Sequence, residues 1–381
     1  MKEISIEELG QLSRDTYEII DIRDEAARAY GMIPGAIAIS FDGEIKEPVQ
    51  KIAEISLEKK LIFYCDFGRK TREFDDARLF GERDCYSLKG GYTGYVCAQV
   101  AEFGDLEEKR HKAEKSIQKK YHKQLFAPFA KACKTYHLIE EGDHIAVCIS
   151  GGKDSMLMAK LFQEIQKHRH CSFELTFLVM DPGYNKENRA LIESNAKALG
   201  IPITVFESGI FDAVDTIEKS PCYICARMRR GYLYSRAREL GCNKIALGHH
   251  YDDVIETILM GMLHGGQVQT MMPKLHSTNF EGMELIRPLY LVRESDICAW
   301  RDYNDLHFLQ CACHFTETCS TCHEDGTTSS KRLETKKLIA QLKEENPFVD
   351  SNIFKSVENV NLDRVITYKK DGVRHHFLDE Y

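Results

Sequence analysis

Six consecutive residues, Ser150-Gly151-Gly152-Lys153-Asp154-Ser155, combine two glycines with an ammonium group, a carboxylate and two hydroxyls. Glycines let backbone N–H groups turn toward an anion, and Lys153 and the serines add donors, so phosphate binding is the chemistry this set suits. The spacing is not the G-x-x-x-x-G-K-[ST] of a Walker loop. Further along, Gly248-His249-His250-Tyr251-Asp252-Asp253 sets two adjacent carboxylates behind a glycine. They suit a helix cap at a helix beginning near Val254, a divalent cation, or both. Cys222 and Cys225 form a C-x-x-C pair, a spacing shared by redox couples, zinc half-sites and iron–sulfur half-sites. Cys311, Cys313, Cys319 and Cys322 crowd a second thiol-rich stretch, and Cys65 opens the run Cys65-Asp66-Phe67-Gly68-Arg69-Lys70-Thr71.

The segments around these residues read as their supports. His144-Ile145-Ala146-Val147-Cys148-Ile149 is a buried strand, and a helix is expected from Met156 to Gln166, so the glycine loop joins a strand end to a helix start. There the helix dipole adds to the positive field of the loop. Strands are also expected at 175–180, 203–206 and 244–247, and in the first hundred residues at 19–22, 36–39 and 61–64. Cys65 therefore follows a strand, where a loop wraps amides around a sulfur. Asp15, the run from Gly31 to Gly35, and Gly90-Gly91 supply turns. Strands alternating with helices imply parallel sheets covered on both faces, an α/β fold.

Between the two α/β stretches, residues 105–137 change character. Lys109, Arg110, Lys112, Lys115, Lys119, Lys120, Lys123, Lys131 and Lys134 face few acids, and Leu125, Phe126, Phe129, Ala130 and Cys133 make a helical apolar stripe. A basic helix or helix pair is expected, either a solvated linker face or a phosphate-contacting one.

With 381 residues, two or three domains are expected, and 43% hydrophobic against 29% charged residues is the balance of an ordinary soluble protein. Net charge is −8, which excludes a wholly basic surface but not a local basic face. Fourteen cysteines without a signal sequence point to metal or thiol chemistry rather than disulfides. Cys133, Cys148, Cys171 and Cys298 sit in apolar segments and read as small buried hydrophobes. Met1-Lys2-Glu3-Ile4-Ser5 carries acid at once, and no apolar run nears the ~18 residues of a membrane span, so a cytoplasmic location without membrane partners is expected.

The S-G-G-x-D-S pattern at Ser150 to Ser155 resembles the PP-loop of the ATP-pyrophosphatases, and Gly248 to Asp253 resembles that family's G-H-x-x-D-D segment. The resemblance implies ATP at Ser150, Gly151, Gly152, Lys153, Asp154, Ser155, Met180 and Gly248, and Mg²⁺ on Asp253. With the run from Pro221 to Gly231, and with Ile139 to Asp143 before the strand, the chain resembles the tRNA 2-thiocytidine synthetase family over roughly residues 110–365. That resemblance implies a [4Fe-4S] cluster held by three cysteines, with one iron free to carry sulfur. Cys222 and Cys225 match two ligands, and spacing from Phe308 favours Cys313 as the third, with Cys311 close behind. A zinc site from these cysteines and neighbouring histidines, or redox thiols, remain readings of the same residues, and Cys319 and Cys322 suit a sulfur relay.

The N-terminal residues resemble a rhodanese domain through Ile20-Asp21-Ile22-Arg23, the run from Gly31 to Ala36, Cys65 to Thr71 and Leu88-Lys89-Gly90-Gly91. That implies Cys65 as a persulfide carrier, or else a silent docking module. Lys70 stands where the family usually has Arg and keeps the charge without the planar fork, and Met32 replaces a common His.

The expected organisation is a rhodanese-like domain (1–103), a basic helical connector (104–140), an adenine nucleotide alpha hydrolase-like (PP-loop) domain (141–300) and a cysteine-rich region (301–381). The expected activity is ATP-dependent tRNA sulfur transfer to C2 of an anticodon-loop cytidine, with Cys65, Lys153 and Asp253 as catalytic residues. The connector and Arg227, Arg229, Arg230, Arg236 and Arg238 are expected on tRNA phosphates. A cysteine desulfurase or other sulfur donor and a homodimer complete the expected partners. The alternatives are uridine or small-molecule thiolation by the same chemistry, and a cluster and rhodanese sensor of redox or sulfide status.

Overall fold

The computed structural model of the chain describes residues 1–28, 31–39, 52, 55, 58–68, 71, 83–102, 106–168, 170–208, 210, 221–309 and 331–381. At positions 26, 99–102, 221–227 and 380 only the backbone enters the description. Cys311, Cys313, Cys319 and Cys322, together with Arg69 and Lys70, lie outside the described residues. The chain divides into two compact units, Met1–His250 with Pro273–Thr328, and Tyr251–Met272 with Ser329–Tyr381.

The first unit holds two sheets, one parallel and one parallel except at an edge strand. In the N-terminal one, β1 (Lys2–Ile4), β2 (Tyr17–Asp21), β3 (Ile37–Ala38), β4 (Lys60–Tyr64) and β5 (Cys85–Leu88) run in the order β1-β5-β4-β2-β3. α1 (Ile6–Gln11) starts on a Ser5–Glu8 capping box, and α2 (Glu25–Arg28) and α3 (Gly91–Glu102) follow β2 and β5. Ile20, Ile39, Ile52, Leu61 and Phe63 form the core, because parallel strands covered on both faces bury successive side chains.

The connector is α4 (Leu106–Gln118), a π-type turn at His122–Phe126, and α5 (Ala127–Thr135). Leu125, Phe126, Phe129 and Cys133 of the expected stripe are buried, and Phe129 meets Phe162 edge-on at 5.3 Å. The second sheet contains β6 (His144–Ile149), β7 (Glu174–Asp181), β8 (Ile203–Glu207), β9 (Lys244–Ala246), β10 (Lys274–His276) and β11 (Glu284–Ile286). Their order is β10-β11-β9-β6-β7-β8, and within this sheet the β10–β11 pairing is antiparallel and the other described pairings parallel. α6 (Lys153–Lys167), α7 (Lys186–Leu199), α8 (Pro221–Glu239) and α10 (Glu294–Tyr303) belong to the same unit, and α9 (Tyr251–Gly265) to the other.

In the second unit, α9 accompanies α11 (Lys331–Glu345), α12 (Val349–Ser356) and a hairpin of β12 (Thr367–Lys370) and β13 (Val373–His376). Tyr251 stacks on Phe354 at 4.6 Å, and Lys343 pairs with Asp350 at 2.9 Å.

Two helix starts differ from the sequence expectation. α6 begins at Lys153, three residues before Met156, because Gly152 adopts the extended conformation of an N-cap. α9 begins at Tyr251, so Asp252 and Asp253 occupy its first turn, where the helix dipole favours acids, and do not precede the helix. Cys133 and Cys148 are buried, whereas Cys171 and Cys298 are half-buried. No helix of the described residues is long and apolar enough to cross a membrane.

Candidate active site at the carboxyl ends of the second sheet

Chain order reverses beside β6. From β6 the chain moves through α6 to β7 and then β8, whereas β9 returns to pair with the opposite edge of β6. Such a reversal opens a crevice at the carboxyl ends of the two strands, where open α/β sheets hold ligands. The residues leaving β6 and β9 there are Ser150 to Ser155 and Leu247 to His250.

Gly151 has φ +85°, and a Cβ on it would lie 2.5 Å from Ile192 Cγ1 of α7 and 3.1 Å from Leu309 Cδ1. Both the left-handed backbone and the lack of room restrict this position to glycine. Leu309 N donates to Gly151 O at 3.3 Å, holding a distant strand of chain under the loop. Ser155 closes the turn internally. Its Oγ donates to Gly152 O (3.0 Å) and accepts from Ser150 N (3.2 Å). A Cβ on Gly248 would stand 3.2 Å from Ser155 N, so the end of β9 abuts the first turn of α6.

Lys153 is 5% exposed, its Nζ between Asp154 Oδ2 (3.2 Å) and Glu294 Oε1 (3.1 Å). Glu294 is the first residue of α10 and carries no sequence signal linking it to the loop. The other Asp154 oxygen, Oδ1, is buried without a hydrogen-bond partner among the described residues.

Met180 is 6% exposed and packs with Ile210, Tyr184, Phe206, Met228 and Leu233, so its side chain is core. Asp181, next along β7, accepts from the Gly183 (2.9 Å) and Tyr184 (2.7 Å) amides and from Arg189 Nη1 (3.1 Å). Asp253 belongs to the second unit, where Arg332 Nη1 lies 3.2 Å from its Oδ1. Cys222 and Cys225 fall in the first turn and a half of α8, one helical turn apart, where the helix dipole favours thiolates. Among the described residues no group of three or more His, Cys, Asp or Glu gathers to hold a metal ion.

The N-terminal site is built around Cys65, 5% exposed at the end of β4. Gly68 N donates to its Sγ at 3.1 Å, and its carbonyl accepts from Tyr92 N at 2.9 Å, at the start of α3. A Cβ on Gly91 would collide with Cys65 O and the Phe67 and Gly68 nitrogens, so glycine is required for this close approach. Behind the loop, Arg23 pairs with Asp21 at 2.7 Å and lies 3.9 Å from the Tyr92 ring centre, with Asp66 3.7 Å away. Tyr64 OH donates to Asp21 at 2.6 Å, and burial together with the Asp21 charge pushes the phenol above its ordinary range.

The two sites share a helix contact. α3, which starts at the Cys65 loop, packs on α7, which underlies the glycine loop through Ile192. Cys97 Sγ of α3 lies 3.6 Å from Glu187 O of α7.

Comparison with known proteins gives these sites a context. The PP-loop domain family matches residues 114–313, and the rhodanese-like domain family matches residues 5–98. The tRNA-cytidine(32) 2-sulfurtransferase of Syntrophotalea carbinolica is 35% identical over 236 residues, 60% of this chain and 86% of the relative. That of Geotalea uraniireducens is 36% identical over 246 residues, 62% of this chain and 93% of the relative. Among solved structures, the U34-tRNA thiolase NcsA from Methanococcus maripaludis with its [4Fe-4S] cluster aligns at TM-score 0.48 and 21% identity, covering 61% of this chain and 76% of that one. On the sequence matches, the chain belongs to the PP-loop family of the tRNA-cytidine(32) 2-sulfurtransferases, with a rhodanese-like domain ahead of the PP-loop domain.

Proposed function

We propose that the chain uses ATP to adenylate O2 of a tRNA cytidine and replaces that oxygen with sulfur, cytidine 32 being the position named for its relatives. The observation that carries this reading is the Ser150–Ser155 loop at the strand-order reversal, where only glycine fits at Gly151 and the α6 N-terminus faces the crevice. Such a cradle suits a nucleotide's phosphates.

In the reaction, cytidine O2 attacks the α-phosphorus and pyrophosphate leaves. Hydrosulfide-level sulfur then attacks C2, and AMP departs with the former base oxygen; sulfur delivered as a persulfide reaches that level when a second thiol cleaves the S–S bond and leaves as the disulfide. Loop amides and Lys153 stabilise charge on the phosphoryl oxygens. An arriving triphosphate competes with Glu294 for the Lys153 ammonium, which rests between two carboxylates. Asp253 is the proposed Mg²⁺ ligand. Cys222, Cys225 and Cys313 are the proposed ligands that would hold a [4Fe-4S] cluster, which would supply an iron without a protein ligand to bind sulfur. Cys65, with the Gly68 amide on its sulfur, is the proposed persulfide carrier, loaded by a separate sulfur donor. A homodimer and a cytoplasmic location belong to the same proposal.

Unmodified tRNA, ATP, Mg²⁺ and sulfide are incubated anaerobically with the purified protein, and nucleosides are identified by mass spectrometry while pyrophosphate is measured. The expected result is 2-thiocytidine in step with pyrophosphate. Pyrophosphate release with a thiouridine, or with no thionucleoside, overturns the cytidine reading.

A further inference from the structure

The connector carries a second concave surface, outside the glycine-loop crevice. A groove of about 820 Å³ is lined by His111, Lys112, Lys115, Lys119 and Lys120 of the connector and by Tyr303 at the end of α10. None of these four lysines has an acidic partner within 4.0 Å among the described residues. Glu114 at its floor is already paired with Lys160 (2.8 Å), Arg110 (3.2 Å) and Lys167 (3.4 Å), and Glu108 is the remaining acid at the margin. Unbalanced positive charge in a hollow, on a chain of net charge −8, is complementary to a strongly anionic partner.

The spacing tells which kind. Residues 112, 115 and 119 recur every three or four positions, so the cations follow one face of the helix and continue past its end at Gln118. From 111 to 118 the helix rises roughly 10 Å, and Lys120, past its end, shares the ring of Tyr303 with Lys112. A single phosphate needs two or three donors at one point, whereas four lysines and a histidine spread along this groove match neighbouring phosphates of one strand. Tyr303 gathers the first and last lysines of the row. Lys120 Nζ sits 3.7 Å from its ring centre and Lys112 Nζ 5.4 Å, with Tyr121 edge-on at 5.8 Å. With ammonium groups over the ring, Tyr303 positions charge, and the groove grips backbone without reading bases.

The same helix ties the groove to the ATP loop. α10 begins at Glu294, bonded to Lys153, and ends at Tyr303, a length of about 14 Å. The geometry points to the groove of Lys112, Lys115, Lys119, Lys120 and Tyr303 as the track that holds the substrate tRNA's sugar–phosphate backbone a few nucleotides from the reacting base. This rests on the tRNA reading above and adds the place and manner of the grip.

The test uses the full chain and an unmodified tRNA transcript, without ATP or a sulfur source, with binding followed by fluorescence anisotropy across a salt series. Lys115→Gln with Lys119→Gln weakens binding about tenfold near 0.1 M salt. It also lowers the slope of log K against log salt by nearly two, since each phosphate contact contributes about 0.7–0.9. Lys369→Gln with Lys370→Gln, on the exposed β12 strand, makes the same change in net charge and leaves both readings within twofold of wild type. Unchanged ATP affinity in each variant certifies the fold. Wild-type binding that the Lys115/Lys119 pair leaves intact in strength and slope overturns the groove while the tRNA reading stands. No tRNA binding by the wild-type chain overturns both.

Discussion

At Gly151 and Gly152, two adjacent glycines have different duties. Gly151 combines φ +85° with a Cβ position 2.5 Å from Ile192, whereas the nearest atom to a Cβ on Gly152 is 3.6 Å away. Gly151→Ala is therefore expected to cost about 1–3 kcal/mol in urea unfolding and to suppress ATP binding, and Gly152→Ala to cost under about 1 kcal/mol. Equal costs would mean that strain does not decide this position. Lys153 offers a second test. Glu294 places a negative charge 3.1 Å from the ammonium proposed to contact the triphosphate, so Glu294→Gln is expected to tighten ATP binding several-fold by calorimetry. Weaker binding would instead make Glu294 the group that holds Lys153 in its working position. For the cysteines, iron analysis of anaerobically purified protein is decisive. About four irons per chain are expected, lost in Cys222→Ala and Cys313→Ala and retained in Cys311→Ala. Stoichiometric zinc without iron would remove the cluster.

Among the elements, the α4–α6 contact shows how a charge is kept buried. Lys160 of α6 is 2% exposed and bonds Glu114, Gln163 Oε1 and Leu199 O at 2.7–2.8 Å. Burial alone would raise the Glu114 pKa, but the Lys160 and Arg110 hydrogen bonds and the nearby lysine charges hold it down at about 2. A depressed carboxyl stabilises the fold above its unfolded pKa of ~4.3, and that contribution is lost as pH falls toward the folded value. Glu114→Gln is expected to destabilise the protein by about 1–2 kcal/mol at pH 7, since the group is partly exposed and its charge partly screened, with the gap to wild type narrowing below about pH 4. A gap independent of pH would assign the cost to packing. Elements of this kind were legible in the sequence where their signal is local. Ile145 to Ile149 and Leu61 to Tyr64 are continuous apolar runs, and they are β6 and β4. Pairings across the chain leave no local mark. The β6–β9 contact that opens the crevice could not be read, nor Glu294, which meets Lys153 from 141 residues away. The hairpin of Thr367–Lys370 and Val373–His376 has a polar composition without alternation, so it also escaped.

On the scale of the whole molecule, the Cys65 loop and the Ser150–Ser155 loop lie in one unit, joined by the contact between α3 and α7. α3 starts where Tyr92 N bonds Cys65 O, and α7 supplies the Ile192 surface that shapes Gly151. The division of labour this implies is separable. On the proposed mechanism, adenylation needs the glycine loop and no sulfur, whereas Cys65 enters only when sulfur arrives as a persulfide. Cys65→Ala removes the thiol and leaves the surrounding amides and the Arg23–Asp21 pair in place, so the fold is expected to survive. With ATP, tRNA and free sulfide, this variant is expected to form thionucleoside at a rate within about twofold of wild type. With a persulfide donor as the sole sulfur source, its rate is expected to fall by about a hundredfold or more, the scale at which a nucleophile's removal is felt. Equal loss with both sulfur sources would make the N-terminal domain a structural support of the PP-loop domain through α7. No loss with either would make it a docking module, and the sulfur would then reach the base without passing through Cys65.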